Sequence, residues 1–214
     1  MTHETGHAHA GAAGPVGPAL PRHVAPQMLE VLHRRRSLPL RALVEPGPDA
    51  EDLRTILSLA ARVPDHGRLV PWRFIVLKGE ARSIAGERLD TLYAQQNPEL
   101  PAAKATMWRE YLLRAPVTVV LVSRSDPKAK IPRFNQDLSA GAAGMALVTA
   151  AAALGFATQW LLKWPGRDPQ AAALLGVLPE ERVAGFIHIG SPAEVPPDRS
   201  RPSLDDVVTW WNGA

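Results

Sequence analysis

Helical spacing of apolar positions alternates along this chain with short, almost continuous apolar runs. A helix that Asp49 can cap, for example, places its apolar side chains on one face. These side chains belong to Leu53, Ile56, Leu57 and Ala60, and Pro64 ends the segment. The same spacing predicts helices that begin near residue 28 and that cover about 80–96, 99–113, 135–154, 169–175 and 204–211.

The apolar runs lie at 72–78, 117–122, 156–162 and 184–189. Runs of this length, several of them bounded by Gly or Pro, predict buried strands. Because helices are interleaved with about four strands, the pattern indicates a layered α+β or α/β domain.

The segment 138–162 contains no charged residue and is long enough to span a bilayer. It consists mostly of Ala, Gly, Ser and Thr, and Gly155 and Gln159 interrupt its second half. Small side chains let neighbouring backbones approach closely. We therefore expect a buried helix followed by a strand, and no membrane span.

The first 25 residues are rich in Gly, Ala and Pro and show no periodicity, which predicts a disordered tail. The tail lacks a basic region before an apolar core, so a secretory signal is not expected and a cytoplasmic location is. Its three histidines, His3, His7 and His9, could bind a transition metal only weakly, because nothing fixes their geometry.

Composition narrows the function classes. The chain has 214 residues, 46% of them hydrophobic, and no cysteine, which excludes a disulfide scaffold, a thiolate metal cluster and a cysteine nucleophile. With 24 Lys and Arg against 21 Asp and Glu, the net charge of +3 can attract phosphates but does not describe a nucleic-acid stripe.

The familiar nucleotide and hydrolase motifs are missing. No Gly-x-Gly-x-x-Gly turn follows a strand, and no Walker-type loop or Gly-x-Ser-x-Gly elbow occurs. The remaining histidines, His23, His33, His66 and His188, are not spaced as metal ligands.

Two arginine-bearing joints are the best candidates for chemistry. Arg34, Arg35, Arg36 and Ser37 follow the first helix, where guanidinium forks can grip a phosphate. A basic helix end can equally be solvated charge that complements the dipole. The second joint is the loop 62–66, which brings Arg62 and His66 together before a buried strand. It also fits a capped helix end with a surface histidine.

Five features resemble a known family when they are taken in order. They are Arg35-Arg36-Ser37, Pro64-Asp65-His66, Pro71-Trp72-Arg73-Phe74, the small-residue helix that ends Leu154-Gly155-Phe156, and the strand from Gly185 to Pro192. Together they resemble the nitroreductase superfamily, and the Pro-Asp-His form is most similar to its short bacterial subgroup of NAD(P)H nitroreductases. The resemblance covers about residues 27–210.

The resemblance implies an α+β, three-layer domain over 26–214, with a central, mainly antiparallel sheet flanked by helices. It also implies an intertwined homodimer with FMN at each interface site, and an oxidoreductase that takes hydride from NADH or NADPH. The acceptor would be electron-poor, such as a nitroaromatic or quinone. Donor and acceptor would occupy the same site one after the other, which implies ping-pong kinetics.

The resemblance also implies which residues bind the cofactor. Arg35, Arg36 and Ser37 would hold the FMN phosphate and ribityl chain, with a second guanidinium from Arg199 or Arg201. Arg62 and His66 would reach the flavin from the partner subunit. Trp160, Leu161 and Leu162 would line the isoalloxazine, and 150–155 would lie near the nicotinamide nucleotide. No catalytic side chain is implied.

Three positions depart from the family pattern. Arg68 stands where many members have Asn, Val70 where Gln is usual, and Lys163 follows Leu162 where Gly is common. These changes alter the expected flavin contacts. A non-enzymatic FMN carrier, a dehalogenase or flavin-fragmenting relative, and a nucleic-acid-binding domain that uses Arg34 to Arg36 remain open alternatives.

Overall fold

The computed structural model describes residues 24–213, so the tail histidines and almost all of the predicted disordered segment lie outside it. Seven helices occur in this part of the chain: α1 Pro26–Arg34, α2 Ala50–Ala60, α3 Glu80–Gln96, α4 Met107–Leu113, α5 Arg133–Ala153, α6 Pro169–Leu174 and α7 Leu204–Val207. The strands are β1 Leu43–Val44, β2 Trp72–Lys78, β3 Val117–Ser123, β4 Ala157–Leu161 and β5 Arg182–Pro192.

The strands form one five-stranded sheet in the order β1-β5-β3-β2, with β4 also paired to β5. Every strand pair is antiparallel, and one parallel bridge joins Ser37 to Thr158. β5 can pair with three strands because it is 11 residues long: β3 runs along one edge, and β4 and β1 share the other. The expected mainly antiparallel sheet is therefore confirmed.

Helices cover both faces of the sheet. On one face, α2 and α5 pack on β3 and β5 through small or branched residues such as Ile56, Ala143 and Leu147. On the other, α3, α4 and α6 enclose a cluster that contains Trp108, Phe186 and other large side chains. Because helices cover both faces, the central strands are buried on either side, and all seven residues of β3 are buried.

Several predicted boundaries are confirmed and two predicted helices were wrong in extent. β2 and α3 occupy the predicted ranges. The segment 99–113 contains only a short turn at 102–104 and then α4, because Pro101 is extended and the Asp90 carboxylate accepts from the amides of Trp108 and Arg109 at 2.8 and 3.2 Å. The last helix stops at Val207, and Trp210 and Trp211 are exposed.

The small-residue segment behaves as predicted. α5 has 21 residues, and its buried positions are mostly Ala and Gly. Within residues 24–213, no helix combines the length and apolar character that a bilayer span requires.

Candidate functional site

The arginine-rich segment lies at the end of α1 and beside the start of β4. Arg35 is the C-cap of α1, and its amide donates to the Val31 carbonyl. Ser37 forms the parallel bridge to Thr158, and the amide of Leu38 donates to the Thr158 carbonyl at 3.1 Å. These bonds fix the backbone on both sides of Arg36. The side chains of Arg35 and Arg36 are therefore presented from a constrained segment.

The three arginines of this segment differ in their partners. Arg34 is largely exposed and pairs with Glu30 one turn earlier at 2.9 Å. Arg35 has a buried Nε that forms no hydrogen bond with any residue of the range 24–213. A buried guanidinium donor without an acceptor is costly, by about 1–3 kcal/mol or more for a charged group. The part of the chain that the structure describes therefore supplies no acceptor for this buried donor.

Arg36 meets the C-terminal segment. Its Nη1 donates to the Pro197 carbonyl and to Asp198 Oδ1. The Asp198 carboxylate also accepts from the amide of Arg199 at 2.8 Å and lies 3.5 Å from Arg201 Nη2. The Arg199 amide, with help from Arg201 and Arg36, holds the pKa of Asp198 below its ordinary value. One carboxylate thus gathers groups from three arginines of the predicted phosphate set.

A cavity of about 740 Å³ opens beside these arginines. Small-molecule pockets commonly measure about 300–1,000 Å³. Its walls come from α1, the C-terminal turns of α5, the start of β4 and the end of β5 with the segment after it, and include Arg35, Arg36, Ala152, Phe156, Thr158 and Asp198. The predicted nucleotide stretch 150–155 contributes Ala152 and Gly155.

The outer edge of β4 continues from this cavity. Thr158 gives its carbonyl to Leu38, so it points away from β5. Alternate residues of a strand face the same edge, and the backbone of Trp160 therefore faces outward as well. The indole of Trp160 points into the α5 side of the core, where its Nε1 donates to the Ala184 carbonyl at 3.2 Å.

The remaining members of the predicted flavin-lining trio are divided. Leu161 packs into the core cluster on the opposite face of the sheet. Leu162 is partly exposed just past the end of β4. At this edge, the groups accessible to a ligand are the Trp160 backbone and the Leu162 side chain.

The second predicted joint lies in the loop between α2 and β2. Arg62 and His66 are exposed, and neither lines the cavity of its own chain. The carboxylate of Asp65 accepts from the amides of Leu69 and Val70 at 3.1 and 2.8 Å. These bonds fix the loop that carries Arg62 and His66.

The structure thus places Arg35 and Arg36 on the cavity and Arg201 beside Arg36 through Asp198. Arg199, in contrast, contacts Asp198 by its backbone amide, and Arg62 and His66 lie apart from them. Ser37 stands next to the cavity with its backbone tied to Thr158. Sequence reasoning missed Asp198, which lies 162 positions from Arg36. Its only sequence signal is a lone acid among arginines, in Asp198-Arg199-Ser200-Arg201.

Two further expectations concern histidine and metals. Among residues 24–213, no group of three His, Asp or Glu side chains is placed to hold a metal ion. His188 is buried in the sheet, where its Nδ1 lies 2.9 Å from the Thr118 hydroxyl. Burial lowers the pKa of His188 to about 3, so this imidazole stays neutral at physiological pH.

Sequence comparison gives the family. The profile of the nitroreductase family matches residues 32–191. The Escherichia coli (strain K12) protein named "Putative NAD(P)H nitroreductase YdjA" is 34% identical to this chain over 165 residues, which cover 77% of this chain and 87% of the relative.

Solved structures share the fold at lower identity. A nitroreductase-like family protein from Bacillus cereus matches with a TM-score of 0.75 and 20% identity, over 91% of this chain and 100% of its own. A mutant of NfnB, an FMN- and NADPH-dependent nitroreductase from Sphigopyxis sp. strain HMH, matches with a TM-score of 0.67 and 23% identity, over 86% of this chain and 99% of its own. An iodotyrosine deiodinase bound to FMN and 3-iodo-L-tyrosine matches with a TM-score of 0.63 and 19% identity, over 86% of this chain and 98% of its own. This fold therefore carries more than one reaction.

Proposed function

Because this chain belongs to the nitroreductase family, we propose that it is an FMN-dependent oxidoreductase that takes hydride from NADH or NADPH. Its acceptor is an electron-poor compound, such as a nitroaromatic or a quinone. The name of the Escherichia coli relative supports the donor, and the FMN of two proteins that share the fold supports the cofactor.

The observation that carries the proposal is the side chain of Arg35. Its buried Nε has no acceptor among the described residues, and the residue lines a cavity large enough for a nucleotide. A phosphate at this place would supply the missing acceptor and would accept a fork of two N–H groups. Arg36 stands beside it, partly buried and already oriented by Asp198.

We assign the other groups by their places around the cavity. Arg199 and Arg201 are the candidates for a second guanidinium. Asp198 accepts from the Arg199 amide and lies 3.5 Å from Arg201 Nη2. Of the two guanidinium groups, that of Arg201 is therefore the one paired beside Arg36. Ser37 offers a hydroxyl beside the phosphate. The outward backbone of Trp160 offers an N–H and a carbonyl to the edge of a flat ring, and Leu162 offers apolar contact.

FMN, when bound, supplies the redox chemistry of the reaction. The residues of the chain bind and orient it, and their positive charge offsets the phosphate. Lys163 follows the β4 edge and is exposed, so it adds a positive charge near the ring position. No side chain of this set has to act as an acid or base.

We propose that two copies complete each site. α5 exposes Phe134, Leu138 and Met145 to 72, 57 and 37%, at spacings that place them on one face of the helix. Contiguous exposed apolar surface of this kind marks protein contacts. A second copy packed on this face would cover it and would let Arg62 and His66 reach the flavin of its neighbour.

The phosphate assignment is tested with the double variant Arg35→Ala/Arg36→Ala. Truncating one partner of a buried charge pair costs roughly 2–5 kcal/mol, so the folded variant should be purified largely without FMN. Arg54→Ala, which removes an exposed arginine from α2, is the control and should keep full occupancy. Full occupancy in the double variant contradicts the assignment.

Anaerobic titration tests the activity itself. NADPH or NADH should bleach the flavin of the purified protein, and a nitroaromatic or quinone should restore its colour with parallel double-reciprocal plots. An oxidised spectrum that persists with both donors indicates a flavin carrier. The acceptor screen includes an aryl halide, because the fold is shared with a deiodinase.

A further inference from the structure

Two loops at the sheet end carry a second group of basic residues, away from the cavity. They are the segments 62–70 and 124–133, which we call the rim. The amide of Arg124 donates to the Pro71 carbonyl at 3.1 Å, and its Nε donates to the Val70 carbonyl at 2.8 Å. Gly67 approaches Ile131 so closely that a Cβ on this glycine would lie 3.1 Å from Ile131 Cγ1. The rim is therefore one continuous surface.

The rim holds the positive excess of the chain. Its six cations outnumber its two carboxylates, Asp65 and Asp126, which gives a net charge of +4 against +3 for the whole protein. The cations are Arg62, Arg68, Arg124, Lys128, Lys130 and Arg133. All six are exposed. The rest of the molecule is thus close to neutral, and the field is local to this surface.

The two carboxylates of the rim are used by the backbone. Asp65 accepts from two amides of its own loop, and Asp126 accepts from the amide of Lys128 at 2.8 Å. Among the described residues, none of the six cations forms an ion pair. The two carboxylates shape the loops. The Arg124 guanidinium is held by the Val70 carbonyl and lies close enough to Glu181 to lower the pKa of that carboxyl, so the other five cations carry the charge that is available to an anion from outside.

The backbone of the rim is held in an unusual shape. Gly67, Arg68 and Val70 have φ values of 78, 54 and 48°. The left-handed region is strained for a β-branched residue such as Val70. The Asp65 carboxylate and the Arg124 guanidinium bind Val70 from both sides, at its amide and at its carbonyl. Strain maintained in this way commonly marks a binding loop.

We propose that the rim binds the 2′-phosphate of NADPH and makes NADPH the preferred hydride donor. This inference rests on the proposed function and on the proposed pair of copies, in which Arg62 and His66 bring the rim beside the neighbour's flavin. Both nicotinamide nucleotides carry a pyrophosphate, whose two charges need only two cations. The surplus on the rim matches the additional charge of the 2′-phosphate, which NADH lacks.

The test compares the two donors in the FMN-loaded protein. The kcat/KM for NADPH should exceed that for NADH by roughly tenfold, and Lys128→Ala/Lys130→Ala should reduce this ratio by about fivefold, as two exposed charge contacts of up to about 1 kcal/mol allow. The kcat/KM for NADH should stay within about twofold. Lys104→Ala removes an exposed lysine from the turn at 102–104 and should leave the ratio unchanged.

A binding measurement gives a readout that is independent of turnover. By calorimetry, 2′,5′-ADP should bind the wild-type protein more tightly than 5′-AMP does, and the difference should shrink at high salt and in the double lysine variant. Equal binding of the two nucleotides overturns the inference, and so does an equal loss of donor preference in Lys104→Ala.

The two proposals fail in different ways. If neither donor bleaches the flavin, the proposed function is wrong. If both donors bleach it with equal kcat/KM, the proposed function stands and the rim assignment is wrong.

Discussion

The two faces of the sheet are packed with different kinds of side chain. On the α5 face the buried helix positions are small, with Ala140, Ala143, Gly144 and Ala151 against the strands. On the α4 face the rings of Tyr93, Trp108, Tyr111, Trp164 and Phe186 lie 4.7–6.0 Å from one another in mostly edge-on pairs. On the α5 face, small side chains let the backbones of helix and sheet lie close together, whereas on the α4 face aromatic rings fill the space between them.

Because of this difference, the face that forms the cavity is distinct from the aromatic face, which contributes more of the free energy of folding. Small residues draw α5 against the sheet, and its last turns form a wall of the cavity through Val148 and Ala152. Within the described residues, α3, α4 and α6 contribute nothing to the cavity. A change on the aromatic face should therefore reduce stability, whereas a change under α5 should also disturb the ligand.

The largest effect is expected for Phe186→Ala. Phe186 is fully buried and packs against Tyr111, and removing such a ring costs about 3–5 kcal/mol. Chemical unfolding should record this loss, while the affinity of the folded protein for FMN stays near the wild-type value. Val76→Ala, on strand β2 of the same sheet and 36% exposed, is the control.

If Phe186→Ala does not fold, Phe186→Leu gives the same comparison with a smaller loss. A matching fall in FMN affinity would show that the two faces are not independent.

The next effect is expected for Gly144→Ala. A Cβ at this position would lie 2.3 Å from Trp160 Cη2 and 2.7 Å from Leu121 Cδ2. Overpacking of a rigid neighbour costs up to about 3 kcal/mol, and relief requires α5 to move away from the sheet. The free energy of unfolding and the affinity for FMN should therefore both fall, as measured by chemical unfolding and by FMN titration.

Ser139→Ala is the control in the same helix, because it adds no atom, lies away from the exposed apolar face of α5, and removes only a hydroxyl that donates to the Asn135 carbonyl one turn earlier at 3.3 Å. Its stability should change by no more than about 1 kcal/mol. An unchanged FMN affinity in Gly144→Ala would mean that the position of α5 does not shape the cavity.

Part of this division is readable from the sequence. The apolar run 72–78 and the periodic segment 80–96 mark β2 and α3 correctly, because pattern and packing agree there. The start of α4 cannot be predicted from the local sequence, because Asp90 of α3 caps the first amides of this helix. β1 is two residues long and carries no period. The segment after Val207 has helical spacing, but no surface formed by residues 24–213 covers Trp210 and Trp211.

The candidate site divides in the same way. Arg35, Arg36 and Ser37 are recognisable as a local motif. The contact of Arg36 with Asp198 depends on β5 returning beside β4, which no local pattern encodes. The inward indole of Trp160 likewise depends on Gly144 and Gly185, which leave room for the ring from two other elements.

Each face also has one carboxylate clamp, and the clamps differ in exposure. Glu181 ties β2 to the α6–β5 turn through Arg73 at 2.5 and 2.7 Å, and its side chain is 4% exposed. Asp137 ties α5 to Ser123, Ser125 and Arg182, and its side chain is 38% exposed. The buried clamp should contribute more.

We expect Glu181→Gln to lower the free energy of unfolding by about 1–2 kcal/mol, since bonds to a charged partner are lost. Asp137→Asn should cost about 0.5–1 kcal/mol, because water screens the exposed pair. Urea unfolding at pH 7 measures both. A larger loss for Asp137→Asn would reverse the assignment of the stronger clamp to the aromatic face.

The smallest effect is the pH dependence that the two clamps produce. The hydrogen bonds from Arg73 lower the pKa of Glu181 below its ordinary 4.5. Burial raises the pKa of Asp137, but the bonds from Ser125, Ser123 and Arg182 prevail and lower it below 3.8. A lowered pKa means that the folded state favours the ionised form, so each contribution is complete above the ordinary value and is lost as the pH falls through the folded value.

The free energy of unfolding should therefore decline from about pH 5 downward. Glu181→Gln should remove the portion of this decline that begins near pH 4.5. Asp137→Asn should remove a smaller portion that begins near pH 3.8. Unfolding measured from pH 3 to 6 at constant ionic strength distinguishes the two. A wild-type slope that survives in both variants would assign the acid sensitivity to other carboxylates, and the clamps would then differ in packing alone.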